Sequence, residues 1–366
     1  MYKKMYKRIV SVVLIGVFTA AVMTGCGQKA ENKSNVDTAP DAAASTDAGD
    51  TSGQETSRSR IWKVSAMGSE THPTTQGWYI FEEEVEKRLQ DVDVQVFING
   101  QLGTSADQCI GGMQNGIIQF SDISVGNVAE YSTAFMPLDT PFLFEDRDAA
   151  LQVVDGEAGA AMADKYLADT DIKLLGYWDY GFRNVTNSKK PIQSIADFSG
   201  LKIRTLNNNI YLDMLTCLGA NPNTMAYAEV FTGLQQGTID GQENPNSSIV
   251  DAKFYEVQKY LTLTEHIYGF LGLHMGGAFY DSLTDEEKNA VEESAAAAIE
   301  KQREICNKAN EDALTVCEDA SIEVITLTDE QKSEMRDATR PVWDTIAGKC
   351  GEDLFRQVVE AAGQEY

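Results

Sequence analysis

Residues 218–249 read LGANPNTMAYAEVFTGLQQGTIDGQENPNSSI, and the order of apolar and turn-forming residues in this stretch decides the fold class. Residues 223–225 and 239–242 are typical of short strands, and residues 228–236 between them have helical spacing. A strand, a helix and a second strand in this order indicate an α/β sheet. Upstream of this stretch, residues 174–178 and 201–205 are predicted strands, and residues 210–218 are a predicted helix.

The first part of the chain shows the same alternation. Predicted strands and helices follow one another at 62–67, 74–90, 92–98, 105–115 and 117–125. This β-α-β-α-β order predicts a mostly parallel sheet, separate from the sheet around residues 218–249. The chain has 366 residues, 43% of them hydrophobic, which is enough to bury two cores. We therefore predict an α/β protein with two lobes.

A long helix is predicted near the C-terminus. The run TDEE places Thr284 as the N-cap residue of a capping box, with acidic residues in the first turn. Neither proline nor glycine interrupts the sequence from there to about Asp319. At 1.5 Å per residue the helix is about 50 Å long, which exceeds one small lobe.

Two arginines and an asparagine form a candidate anion site. Arg183 and Arg204 each carry a planar fork of N–H donors that matches a carboxylate, and Asn244 ends the GQEN segment. An isolated arginine is more often part of a surface ion pair, and that alternative applies to each of them singly. The combination predicts a site for a carboxylate.

The order and spacing of several motifs resemble the substrate-binding proteins of TRAP transporters, the DctP type. The resemblance covers about residue 61 to the C-terminus. The matching segments, beside residues 218–249, are GYWDYGFRNVTNSKKPI (176–192), IADFSGLKIRT (195–205) and KFYEVQKYLTLTEHIY (253–268), with weaker matches in GSETHP, NGQLG and MPLDTPFLFEDRDAA.

This resemblance implies a periplasmic-binding-protein-like (type II-like) fold with a hinge. Lobe one would contain residues 61–180 and 270–309, and lobe two residues 181–269 and 310–366. The long helix would span both lobes. A ligand would lie in the cleft between the lobes, beyond the C-terminal ends of the strands.

The resemblance also implies roles for individual residues. Arg204 would clamp the ligand carboxylate, with Arg183 and Asn244 beside it, and Tyr227 would lie where the family has an aromatic residue. In the other lobe, Glu70, His72 and Ser124 would contact the rest of the ligand, and Trp178 would stack on a sugar face. Four of these have structural alternatives: packing for Tyr227 and Trp178, and helix capping for Glu70 and His72. Glu243 and Asp122 are interpreted as structural.

Ligand chemistry is only partly determined. A carboxylate such as Glu70 accepts hydrogen bonds from hydroxyl groups, which favours a sugar acid such as a hexuronate; a C4-dicarboxylate or sialic acid remains an alternative. The resemblance argues against a bound metal because Asn244 follows Glu243 where keto-acid members have a tryptophan beside the glutamate. No cofactor is expected.

Charge and motif content limit the function. A formal net charge of −26 argues against a nucleic-acid partner. The three histidines occur in no GxSxG or HExxH context, so an enzyme is not expected. Two alternatives stay open beside transport: a ligand-presenting sensor input for a membrane receptor, and an extracellular sugar-acid hydrolase or lyase. In the transport interpretation, the partners are the small and large integral-membrane permease subunits.

The N-terminus predicts the location. Residues 1–25 combine a basic leader with a short apolar run, and Thr24-Gly25-Cys26 resembles a lipoprotein cleavage site. Cys26 would carry the lipid anchor, and residues 26–60 would form a disordered tether. The protein is thus expected on the outer face of the cytoplasmic membrane. Five further cysteines show no metal spacing, and their disulfide status is left open: Cys109, Cys217, Cys306, Cys317 and Cys350.

Overall fold

The computed structural model describes residues 60–366, which form a mixed α/β fold. The predicted signal peptide 1–25, Cys26 and all but the last residue of the predicted tether lie outside these residues. The strands are β1 (Arg60–Ser65), β2 (Val92–Phe97), β3 (Phe120–Ser124), β4 (Ile172–Asn187), β5 (Lys202–Thr205), β6 (Asn221–Thr224), β7 (Gly241–Pro245), β8 (Tyr260–Leu263), β9 (Tyr268–Gly276) and β10 (Glu323–Thr326). The helices are α1 (Pro73–Arg88), α2 (Ala106–Gln114), α3 (Arg147–Asp155), α4 (Glu157–Thr170), α5 (Asn209–Cys217), α6 (Val230–Gln236), α7 (Asn246–Asp251), α8 (Gly277–Asp281), α9 (Asp285–Asp319), α10 (Asp329–Cys350) and α11 (Glu352–Ala361).

The predicted β-α-β-α-β beginning is confirmed, but the first sheet is not mostly parallel. Strand β1 pairs in parallel with β2 and β3, as alternation with helices requires. Strand β9 then pairs antiparallel with both β3 and β4. The sheet is mixed because β9 returns from the second sheet in the opposite direction, which the local sequence pattern does not reveal.

Strand β4 joins the two sheets. The sequence predicts a short strand at 174–178, whereas the structure has one strand of 16 residues. Residues 172–182 of β4 pair with β9, and residues 183–187 pair with β7. A bulge between Asp179 and Gly181 lies near the end of the part that pairs with β9, and Gly181 has a φ of 94°, which a residue with a side chain rarely adopts. The bulge coincides with the predicted lobe boundary at 180/181, and the lobe ranges themselves remain a prediction.

The 218–249 stretch forms the predicted strand, helix and strand with shifted bounds. The first strand is β6, which begins two residues earlier than predicted, and the second is β7, which begins at Gly241 rather than Ile239. The helix starts at Val230 because residues Tyr227–Glu229 form a 3₁₀ turn instead. Strand β5 pairs in parallel with both β6 and β7, so this second sheet follows the α/β pattern.

The long helix α9 is confirmed at 35 residues, about 52 Å. Its capping box is present: Glu287 donates its backbone N–H to Thr284 Oγ1 at 3.3 Å and accepts from the Thr284 N–H at 2.8 Å. The helix packs against α1, β4, α7 and β10, which include elements of both sheets. It therefore connects the two halves of the fold.

The last two helices contact both halves. Helix α10 packs against α5 of the second half, and α11 packs against α4 of the first. Buried Trp343 in α10 donates its indole N–H to the carbonyl of Pro141 at 3.0 Å. The C-terminal helices α10 and α11 thus pack against elements of both halves of the fold and not on the second sheet alone.

The five cysteines among residues 60–366 are free thiols, and all except the half-buried Cys217 are buried. Helices over the same residues are all too short or too polar to cross a membrane.

Candidate functional site

A cavity of about 520 Å³ lies where strand ends of both sheets meet. One wall contains the loop before α1 and the end of β3, and the other contains β5, the end of β7 and the turn before α6. Its size is that of a small-molecule site. Six of the predicted residues line it: His72, Ser124, Arg183, Arg204, Tyr227 and Asn244.

Arg204 presents a buried charge without a counter-charge. Its side chain is on β5 and only 4% exposed. Nε and Nη2 both donate to the carbonyl of Met225, at 3.0 and 2.6 Å, and no carboxylate of residues 60–366 lies within 4 Å of the guanidinium. Burial lowers the pKa of Arg204 to about 10, so the group is still a cation at neutral pH. The site therefore lacks one negative charge.

Arg183, by contrast, is already neutralised. Its Nε lies 2.5 Å from Glu243 Oε2 and its Nη2 lies 3.0 Å from Oε1, a two-point pairing. Burial opposes the charge of Arg183, but the Glu243 carboxylate outweighs it and raises the pKa of the arginine. Burial would likewise raise the pKa of Glu243, yet Arg183 and His266 hold it at about 2. Glu243 thus belongs to the site as the partner of Arg183.

Asn244 and Tyr227 complete this wall. Asn244 accepts from Arg183 Nη2 at 3.1 Å and donates to Gln242 Oε1 at 2.6 Å, which fixes its amide. The Tyr227 ring packs edge-on against Phe254 with centroids 5.9 Å apart, while its hydroxyl lies 3.5 Å from the Ser248 carbonyl. Tyr227 therefore both packs and faces the cavity.

His72 caps helix α1 and also reaches the opposite wall. Its Nδ1 accepts from the Thr74 N–H at 3.3 Å, and its Nε2 lies 3.3 Å from Ser248 Oγ. Gly68 leaves room for the His72 side chain, because a Cβ at position 68 would lie 2.5 Å from the Cβ of His72. Burial lowers the pKa of His72, so the imidazole is neutral at pH 7. Ser124, at the end of β3, has a hydroxyl with no hydrogen bond to any residue of 60–366.

Two predicted residues do not line the cavity. Glu70 is exposed, and its backbone carbonyl accepts from Gln76 Nε2 at 2.6 Å. Trp178 is fully buried and packs edge-on against Trp78 with centroids 5.5 Å apart. Trp178 is therefore a core residue and cannot stack on a ligand in the cavity.

We expect Glu70→Ala to leave ligand affinity within about twofold, because an exposed side chain outside the cavity adds little to binding. Isothermal titration with an organic acid that stabilises the receptor in a thermal-shift screen checks this. A loss of tenfold or more would mean that the loop carrying Glu70 moves into the cavity when the ligand binds.

Sequence reasoning missed several lining residues. Tyr180 lies in the matching segment 176–192 but is not among the predicted site residues. Asn127 and Asp251, the last residue of α7, also line the cavity. Asp122, interpreted as structural, also lines the cavity. Burial raises the pKa of its carboxyl to about 7, although hydrogen bonds from Thr74 and Met67 favour the charged form.

Within residues 60–366, no group of three or more His, Cys, Asp or Glu side chains is arranged to hold a metal ion.

The fold consists of two sheets that one strand and one long helix join. The cavity between the sheets contains a guanidinium that no carboxylate of residues 60–366 neutralises. This combination defines a receptor for a small anion. The sequence profile of the bacterial extracellular solute-binding proteins, family 7 (DctP), matches residues 64–349. The chain belongs to this family and is a DctP-type TRAP substrate-binding protein; the family consists of receptors and not of enzymes.

Relatives of known ligand are similar over most of the chain. The 2,3-diketo-L-gulonate-binding periplasmic protein YiaO of Escherichia coli K12 is 36% identical over 276 residues, 75% of this chain and 80% of that one. The sugar acid binding protein DctPAm of Advenella mimigardefordensis, solved with galactonate, has a TM-score of 0.80 and 33% identity, covering 84% of this chain and 99% of that one. A receptor of Sulfitobacter sp. NAS-14.1, solved with β-D-galacturonate, has a TM-score of 0.78 and 30% identity, covering 82% and 99%.

Proposed function

We propose that the protein captures an organic acid, with a sugar acid such as a hexuronate favoured, and delivers it to a TRAP-type permease. The observation that carries this proposal is Arg204, a buried guanidinium with no carboxylate partner among residues 60–366. A ligand carboxylate would supply the missing charge and accept the unused N–H donors of Arg204.

The remainder of the cavity suits a hydroxylated ligand. Ser124 and Asn127 line it, and neither side chain is hydrogen-bonded to another residue of 60–366. Tyr180, His72 and Tyr227 add polar atoms on apolar rings, a composition common in sugar sites. Galactonate and galacturonate in two similar structures are consistent with this ligand class.

The proposal places the protein outside the cytoplasmic membrane. Family membership implies an extracytoplasmic receptor and a permease of small and large integral-membrane subunits. The lipobox ending at Cys26 suggests a lipid anchor at the outer face of the membrane, with residues 26–60 as the tether that lets the receptor reach the permease.

A thermal-shift screen tests the ligand assignment. We expect the purified receptor to be stabilised by one or more acids among galactonate, galacturonate, glucuronate, succinate and sialic acid. At a ligand concentration of about 100 times Kd the gain is about 2.7 kcal/mol, or about 5 °C in Tm. Neutral galactose is the control, because it lacks the carboxylate that Arg204 requires.

The binding proposal would be wrong if none of these acids changed the Tm of a receptor that unfolds cooperatively. Uptake of the stabilising acid by cells that express the receptor with its permease then tests delivery. A receptor that binds the acid but supports no uptake would favour the sensor alternative.

A further inference from the structure

Among residues 60–366, the cavity contains a single unmatched positive charge. Its two cationic groups are Arg183 and Arg204, and Glu243 neutralises the first through two hydrogen bonds. His72 is neutral at pH 7 because burial lowers its pKa. Every other charged group that lines the cavity is an acid: Asp107, Asp122, Glu130 and Asp251.

Asp251 is the acid best placed to act on a bound ligand. It is half-buried, whereas Asp107 and Glu130 are exposed and Asp122 has no accessible surface. Its carboxylate accepts from the hydroxyl and the backbone N–H of Ser69 on the opposite wall and has no cation within 4 Å among residues 60–366. Its negative charge favours the protonated forms of three cavity residues, namely His72, Tyr180 and Tyr227.

We infer that the site selects an acid with one carboxylate over the corresponding diacid, and that Asp251 is a specificity-determining residue for this choice. One ligand carboxylate neutralises Arg204. A second carboxylate in the same cavity finds no further unpaired cation among residues 60–366 and meets Asp251, which carries a like charge. Ligand hydroxyl groups, in contrast, donate to acidic side chains without this repulsion. The inference rests on the proposed function and specifies its ligand class.

Matched ligand pairs test it by isothermal titration. Galactonate and galactarate differ only at the terminal carbon, which is a hydroxymethyl group in the first and a carboxylate in the second; gluconate and glucarate form a second pair of the same kind. We expect the wild-type receptor to bind the monoacid at least about tenfold more tightly than the diacid, since like-charge contacts in an interface are strongly unfavourable.

The Asp251→Asn variant tests the residue. Asparagine has nearly the same shape and still accepts from Ser69, so the fold should be retained. The preference for the monoacid should fall at least about fivefold. Asp155→Asn is the matched control: it removes one negative charge outside the cavity, where Asp155 pairs with Arg303, and should leave the preference unchanged.

The outcomes separate the two proposals. If the wild-type receptor binds neither member of either pair nor any other acid of the screen, the proposed function is wrong. If it binds monoacid and diacid equally, the function stands and the selection of one carboxylate is wrong. If Asp251→Asn and Asp155→Asn both reduce the preference by the same factor, the overall negative charge of the protein causes the selection. If Asp251→Asn leaves the preference unchanged, Asp251 is not a specificity-determining residue.

Discussion

Arg204→Ala is expected to raise the Kd for the acid ligand at least about a hundredfold, because the variant removes the only unmatched cation that residues 60–366 place in the cavity. Arg204→Lys keeps the charge but loses the planar fork and is expected to cost at least about tenfold. Isothermal titration with the acid identified by the thermal-shift screen measures both.

The fold should tolerate these substitutions. Arg204 makes no ion pair with residues 60–366, and both of its hydrogen bonds end on one carbonyl, that of Met225. Removing a buried and uncompensated charge should leave the Tm of the free receptor unchanged or raise it. Lys202→Ala, an exposed residue of the same strand outside the cavity, is the matched control and should bind normally. Normal binding by Arg204→Ala would exclude it as the carboxylate clamp.

Glu243→Gln is expected to lower the free energy of unfolding by about 3–5 kcal/mol, because it leaves the Arg183 cation buried without its partner. Glu243 also accepts from Thr205 Oγ1 at 2.6 Å, and that hydrogen bond weakens with the lost charge. Urea unfolding and a drop in Tm of about 6–9 °C would show the loss. Asp155→Asn, in a half-exposed pair with Arg303, should cost no more than about 1 kcal/mol.

The same pair predicts a dependence on pH. Glu243 has a pKa of about 2 in the folded protein, against 4.5 for an ordinary glutamate. Because the folded-state pKa is depressed, this stabilisation is complete above about pH 4.5 and disappears as the pH falls towards 2. Glu243→Gln should lack this part of the acid destabilisation. If wild type and variant lose stability in parallel over this range, the ion pair does not stabilise the fold as described.

The sequence correctly predicted those helices and strands that depend on residues close to one another in the chain. The capping box at Thr284, the run without proline or glycine that follows it, and the strand, helix and strand of residues 218–249 all appear in the structure. Several observed strands begin or end two or three residues away from the predicted bounds, because pairing with a neighbouring strand extends or shortens them. The length of β4 was missed because its 16 residues are extended only through pairing with two different sheets.

The candidate site was predicted only in part, for a similar reason. Arg204, Asn244 and His72 follow from motifs and do line the cavity. Trp178 does not, because residue type alone cannot distinguish a buried aromatic of a central strand from one that faces a ligand. Asp251 carries no motif, and only its position opposite Ser69, 182 residues away in the chain, gives it a role.

The sequence by itself determined the α/β class, the long helix, the membership of a receptor family and the residue types of an anion site, because periodicity, capping and motif spacing act over a few residues. Only the tertiary structure decided which arginine is free. The resemblance assigns the clamp to Arg204, but the sequence does not show that Glu243, 60 residues from Arg183, neutralises Arg183 while Arg204 has no carboxylate partner among residues 60–366. Burial and long-range pairing set the charge that a ligand meets, and both depend on packing that brings distant segments together.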